Sequence, residues 1–183
     1  GTSDQISLGT GLNLSSSFTI SAWVKRDGSG ESGDTGGLDT IVGKWTDGGN
    51  TSSWLLEVTE SNDKPALYVY TTSLLSVEGI TVLTDNKWHL VTGTYDGANL
   101  RIYVDGVLEN TAVATGTPTQ NSQITYIGRS DTATYGQFFG GSIDEVRASN
   151  IARTADEIRQ AYEVGRRTHP VTIDFAARLN AAD

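Results

Sequence analysis

Apolar and polar residues alternate along most of this chain. Phe18, Ile20, Ala22 and Val24 share one phase, and Thr19, Ser21, Trp23 and Lys25 the other, which predicts a strand with one strongly apolar side. A glycine-rich loop follows from Asp27 to Gly37, then a short strand at Thr40–Trp45 and a tight turn at Asp47-Gly48-Gly49-Asn50. Trp54, Leu56 and Val58 mark another strand. Past the turn at Asn62–Pro65, Leu67 and Val69 alternate with Tyr68 and Tyr70. Trp88–Tyr95 and Leu100–Val104 read as a hairpin around Asp96-Gly97-Ala98-Asn99, and Gln123–Arg129 and Phe139–Ala148 as two late strands. Turn signals recur about every 8–12 residues, the rhythm of an all-β sandwich or barrel.

One segment has a different period. Thr154-Ala155-Asp156-Glu157 is a capping box, and Ile158, Ala161 and Tyr162 then form an apolar stripe that Gly165 ends. Trp23 lies opposite the core phase of its strand, so it belongs either to a second small core under this helix or to a stacking site. Trp54 and Trp88 are expected in the core. The expected domain covers 1–165. Residues 166–183, with Val171, Ile173 and Phe175 at period 2, are expected to form a strand or a linker toward a following domain.

Composition narrows the function. The 183 residues include 21 glycines, 24 threonines and only 3 prolines, which suits turn-rich β-structure. Thirteen basic against 22 acidic side chains leave a net charge of −9, without the cationic footprint that nucleic acid requires. No apolar run approaches the roughly 20 residues of a membrane span, so no membrane insertion is expected. Cysteine is absent, which excludes disulfides, thiolate metal sites and cysteine nucleophiles. From the opening Gly1-Thr2-Ser3-Asp4, an excised module or a processed form is expected.

Three segments in order resemble one family: Phe18–Lys25; Trp88–Gly97 continuing through Leu100–Gly106; and Phe139–Arg147 followed by Ala152–Ile158. They look like the laminin-G-like modules of the concanavalin A-like lectin/glucanase superfamily, which includes the pentraxins. The resemblance implies a jelly roll of two antiparallel sheets with one short C-terminal helix. It also implies an extracellular or cell-surface setting, carbohydrate binding or adhesion, and often a structural calcium. Asp144 matches the aspartate of the family's glycine–isoleucine–aspartate–glutamate motif, a position that helps hold calcium in many relatives, and Asp4 is the nearest acidic partner at the N-terminus. Calcium needs six to eight oxygens and no sulfur, which this composition can supply. The plain alternative is that Asp144 accepts backbone amides in a tight corner. Asp27, Glu31, Asp34 and Asp39 are spread among the loop glycines, without the spacing of an EF-hand.

Catalysis is not expected. His89 and His169 are the only histidines, and neither has a triad context. No Glu-x-Asp-x-x-Glu run supplies paired carboxylates for glycoside hydrolysis, and the adjacent Asp144 and Glu145 point to opposite faces of a strand. Recognition is the better reading. With Leu67, Val69, Leu100, Ile102 and Val104 inward, Tyr68, Tyr70, Arg101 and Tyr103 turn outward and are expected to form one glycan platform. Trp45 and Tyr135, beside glycine turns, are the candidate loop contacts. The expected function is a non-catalytic recognition module, calcium-supported and carbohydrate-binding or adhesive. The rival is a structural or protein–protein domain with no sugar site. A polysaccharide hydrolase or lyase ranks third.

Overall fold

The strand that begins at Phe18 runs through the middle of one sheet, which explains why its apolar phase is so regular. The computed structural model describes residues 4–27, 38–46, 52–59, 61–131 and 138–169. In chain order the elements are β1 (Ile6–Ser7), β2 (Phe18–Arg26), β3 (Leu38–Lys44), β4 (Trp54–Thr59), β5 (Pro65–Tyr70), β6 (Leu74–Glu78), β7 (Trp88–Tyr95), β8 (Asn99–Val104), β9 (Val107–Val113), β10 (Tyr126–Ile127), β11 (Gly141–Ser149) and the helix α1 (Ala155–Gly165). They form two antiparallel sheets. One has six strands in the order β1-β10-β3-β4-β5-β6, the other five in the order β11-β2-β7-β8-β9. This is the two-sheet jelly roll with one short helix that the resemblance implied.

The inward phases meet between the sheets. Phe18, Ile20, Ala22 and Val24 of β2 pack with Trp54, Leu56, Val58, Leu67 and Val69 of the opposite sheet, and Val91, Tyr95, Leu100, Ile102 and Val104 complete the core. Gly93 of β7 lies on the same inner face, where a Cβ would come within 3.0 Å of Leu67 Cδ2. Its missing side chain lets β7 approach β5 closely. Charged groups close the interior at two places. Arg26, in the inward phase of β2, pairs with Asp39 of β3 and with Asp63, so a cation from one sheet is clamped by carboxylates associated with the other. Lys44 is fully buried, and its Nζ donates to the Thr10 carbonyl at 2.8 Å and to Asn13 Oδ1. Burial pulls the Lys44 pKa down, and these oxygens fasten the 10–13 segment to β3.

Several expectations change. Trp88 is not in the inter-sheet core. It lies opposite Lys25 in the register, on the outer face, edge-on to His169 at 4.9 Å. The expected strand Gln123–Arg129 contracts to Tyr126–Ile127. Strands β6 and β9 were not foreseen. β9 is an edge strand, mostly exposed, so nothing enforces alternation in Val-Leu-Glu-Asn-Thr-Ala-Val. The tail from 170 onward lies outside the described residues.

The helix forms as expected. Thr154 Oγ1 accepts from the Glu157 amide at 3.3 Å, and Glu157 Oε2 accepts from the Thr154 amide at 2.8 Å. The helix packs on the outer face of the five-stranded sheet, where Trp23 is the anchor. Tyr162 stacks on the indole at 5.7 Å, His169 stacks on it at 4.5 Å, and Gly165 sits against it so closely that a Cβ would lie 2.4 Å from Nε1. Trp23, 1% exposed, therefore belongs to a second small core. Gly165, expected to stop the helix, is instead its last residue, with Arg166 as the C-cap, and what its missing side chain serves is the packing on Trp23.

Candidate functional site

The two sheets turn their outer faces to opposite sides of the sandwich, and this divides the expected platform. Tyr68 and Tyr70 are on β5 of the six-stranded sheet, whereas Arg101 and Tyr103 are on β8 of the five-stranded sheet. Strand phase correctly turned all four side chains away from the core but could not say which sheet each strand joins. Tyr103 is also not a surface residue. It is 3% exposed, and burial pushes its phenol pKa up. Arg101 is committed to Asp96, with Nη1 at 2.6 Å from Oδ2. Neither residue belongs with Tyr68.

The outer face of the six-stranded sheet carries a different set. Its register aligns Tyr126, Gly43, Leu55, Tyr68 and Ser76 in one row across β10, β3, β4, β5 and β6. A second row holds Thr40, Glu57, Ala66 and Glu78. Glycine at 43 leaves room for its neighbour, since a Cβ there would meet Leu55 Cδ1 at 2.5 Å. Trp45, just past the end of β3, leans over this ground, with its ring centroid 6.1 Å from Tyr68 and the planes tilted by 60°. The structure thus brings together two candidates from separate arguments, Trp45 and Tyr68. Both are half-buried, as is Tyr70 two residues along β5.

Beside Tyr68 lies Glu57, which is fully buried. Burial pushes the Tyr68 phenol up to about 12, and the charges of Glu57 and Glu78 and a hydrogen bond with Glu57 add to the shift. The phenol therefore keeps its proton throughout the ordinary pH range. At the β10 end, Arg129 lies over the Tyr126 ring at 4.9 Å and over Phe138 at 5.7 Å, and its Nη1 donates to Gln5 Oε1 at 2.9 Å. The Asp131 amide donates to the Trp45 carbonyl at 3.0 Å, which ties the start of the loop after β10 to the tryptophan. Sequence reasoning missed Tyr126, Arg129 and Glu57. The phase opposite Ile127 could have found Tyr126, but a buried glutamate in a strand looks like any solvated one. Tyr135 lies outside the described residues, as do Glu31 and Asp34.

Asp144 has other work. Its Oδ2 is 3.1 Å from His169 Nε2, and its Oδ1 accepts from the Glu145 amide at 2.7 Å, where the backbone turns to φ +48. These contacts hold its carboxyl below the usual range, the Glu145 amide first and His169 second. Asp4 instead lines a cavity of about 240 Å3 with Ile127, Phe138 and Ile143. Ile143 and Asp144 alternate along β11, so Asp144 is on the opposite face of that strand from the residue that lines the cavity with Asp4. Among the described residues, no group of three or more His, Asp or Glu is placed to hold a metal ion. Nor is any helix among them long and apolar enough to cross a membrane.

Rings beside carboxylates, hydroxyls and a guanidinium are the means by which proteins grip polyols. Residues 1–159 match a laminin G family of the concanavalin A-like lectin/glucanases superfamily, and the chain belongs to that superfamily. Solved structures agree on the fold. The binding domain of Paraclostridial Mosquitocidal Protein 1 superposes with a TM-score of 0.65 at 14% identity, over 87% of this chain and 41% of that one. A protein of Bacteroides ovatus, described as a candidate carbohydrate binder, gives 0.65 at 22% identity, over 86% and 44%. Domain 4 of AbnA, an extracellular arabinanase of Geobacillus stearothermophilus solved with arabinotriose, gives 0.61 at 18%, over 85% and 71%. The chain thus spans less than half the length of the first two. No curated protein matches it by sequence.

Proposed function

We propose that this domain is a non-catalytic carbohydrate-recognition module of a larger extracellular or cell-surface protein, and that it binds glycan on the outer face of the six-stranded sheet. The observation that carries the reading is the tilted Trp45–Tyr68 pair beside the buried Glu57. Aromatic faces accept the C–H surface of a sugar ring, while the Tyr68 phenol, held in place by its hydrogen bond with the buried Glu57, offers its oxygen as an acceptor for the sugar's hydroxyls. The arabinotriose complex of a domain with this fold supports the choice of ligand class and puts arabinan among the first polymers to test.

Retention in gels cast with a panel of polysaccharides, arabinan included, tests the proposal. We expect retention on at least one polymer, with Trp45→Ala and Tyr68→Ala each weakening it at least tenfold while the domain stays folded. A panel without retention, alongside intact capture of a protein partner, favours the spacer or protein–protein reading. One observation favours hydrolysis as a second reading. Glu57 and Glu78 share a row two strands apart, roughly 9–10 Å by strand spacing, near the separation of an inverting carboxylate pair. Glu78 is engaged by Asn62 Nδ2 at 3.0 Å, which argues for structure. Turnover of the retained polymer, lost in Glu57→Gln, would establish the hydrolase.

Calcium support is a separate element of the proposal, as a structural ion away from the sugar face. A native-state ligand raises the melting temperature by mass action. The expected result is a rise with calcium that EDTA reverses and that Asp144→Ala removes. A rise that survives in Asp144→Ala places the ion elsewhere, and a melting curve indifferent to both reagents removes it.

A further inference from the structure

The face of the five-stranded sheet under α1 is not filled along its whole length. Between the start of the helix and strands β2, β7 and β11 lies a cleft of about 220 Å3. Its floor is polar where a helix on a sheet would ordinarily meet apolar side chains, because Ser21 and Thr92, register partners on β2 and β7, both line it. Thr92 is 2% exposed, and its hydroxyl has no hydrogen-bond partner among the described residues. Valine has nearly the same shape without that unmet demand, so packing does not account for the hydroxyl.

The charged walls balance. Arg147 lines the cleft and pairs with Glu145 at 2.7 Å. Arg153 lines it too, 3.6 Å from Glu157 on the same wall. Exposed pairs of this kind are weak and can share their hydrogen bonds with a ligand. The cleft therefore offers guanidinium donors, carboxylate acceptors and hydroxyls that are both, with Ile158 as an apolar side. An anion would be repelled by Glu157, whereas a polyol needs donors and acceptors together. The volume is below the 300–1,000 Å3 of sites for drug-sized ligands, which limits the occupant to a single ring.

We propose that this cleft is a second binding site, for one neutral sugar ring or cyclitol, on the side of the sandwich opposite Trp45 and Tyr68. It does not depend on the glycan face described above. The test is an amide chemical-shift titration of the full chain with glucose, galactose, mannose, arabinose and myo-inositol, with galacturonate and acetate as charged controls. Saturable shifts of the Ser21, Thr92 and Arg153 amides are expected with at least one neutral polyol, with a dissociation constant on the order of 1 mM. Thr92→Val should weaken that binding about fivefold while leaving or raising the melting temperature. Should Thr92→Val fail to fold, Ser21→Ala carries the same expected loss. The proposal is overturned by any of three results: no saturable shift with any neutral polyol, a response to the charged controls alone, or unchanged affinity in the folded variant.

Discussion

Gly165 shows how much one side chain position can carry. It is the last residue of α1, just ahead of the Arg166 C-cap, and it sits so close to the Trp23 indole that a methyl group there would lie 2.4 Å from Nε1. The indole is held by Tyr162 and His169 as well, so it cannot retreat cheaply. Gly165→Ala should therefore cost about 1–3 kcal/mol, the range for overpacking a filled site. Chemical denaturation with tryptophan fluorescence as the probe reads both the loss and the disturbed stacking. An unchanged midpoint and spectrum would mean that the helix end is not seated on Trp23. Residue-scale reading of the sequence identified Gly165 as a stop signal and offered Trp23 for a second core. It put Trp88 in the wrong core because a tryptophan at the start of a strand can begin either phase. It also exposed Tyr103, because an outward phase does not reveal how deeply a side chain is covered.

Among the elements, the β7 entrance is tied down by His89. Its Nδ1 is 2.8 Å from Asp105 Oδ2, in the turn between β8 and β9, and its Nε2 is 3.2 Å from Asp85 Oδ1, ahead of β7. Burial alone would depress its pKa, but the hydrogen bonds and charges of Asp105 and Asp85 outweigh burial and hold it above the ordinary 6.5. The folded state thus binds a proton more tightly than the unfolded chain. That stabilisation is fully present below the unfolded value and is lost as pH rises through the higher folded value. Stability measured by urea from pH 5 upward should fall across that window, and His89→Gln should flatten this part of the profile. A profile of the same slope in the variant would assign the titration to another group. Strand order was the element-scale information that alternation lacked. Period 2 located β2, β4, β5, β7 and β8 well, since each has one face against the inter-sheet core. It could not pair them into sheets, because pairing depends on which edges meet after folding, and this gap divided Tyr68 and Tyr70 from Arg101 and Tyr103.

Considered whole, the molecule has two unlike sides. One is covered by α1 and the turn through His169, with Trp23 as the buried anchor. The other presents Trp45 and Tyr68, half-open above a buried glutamate. Two tryptophans thus make opposite demands on an alanine substitution. Trp23→Ala removes a side chain that is 1% exposed and packed on three groups, and such deletions cost about 3–5 kcal/mol. Trp45→Ala removes a partly exposed ring at a strand end, for about 1 kcal/mol, but takes away half of the aromatic pair offered to a sugar. Melting and polysaccharide retention measured on both variants should therefore dissociate, with Trp23→Ala losing stability yet binding whatever fraction stays folded, and Trp45→Ala melting close to the parent yet losing retention. The reverse pattern would put the recognition surface on the helix side. Equal loss of both properties in both variants would mean that the two faces are one cooperative unit, with binding tied to global stability rather than to the Trp45–Tyr68 pair.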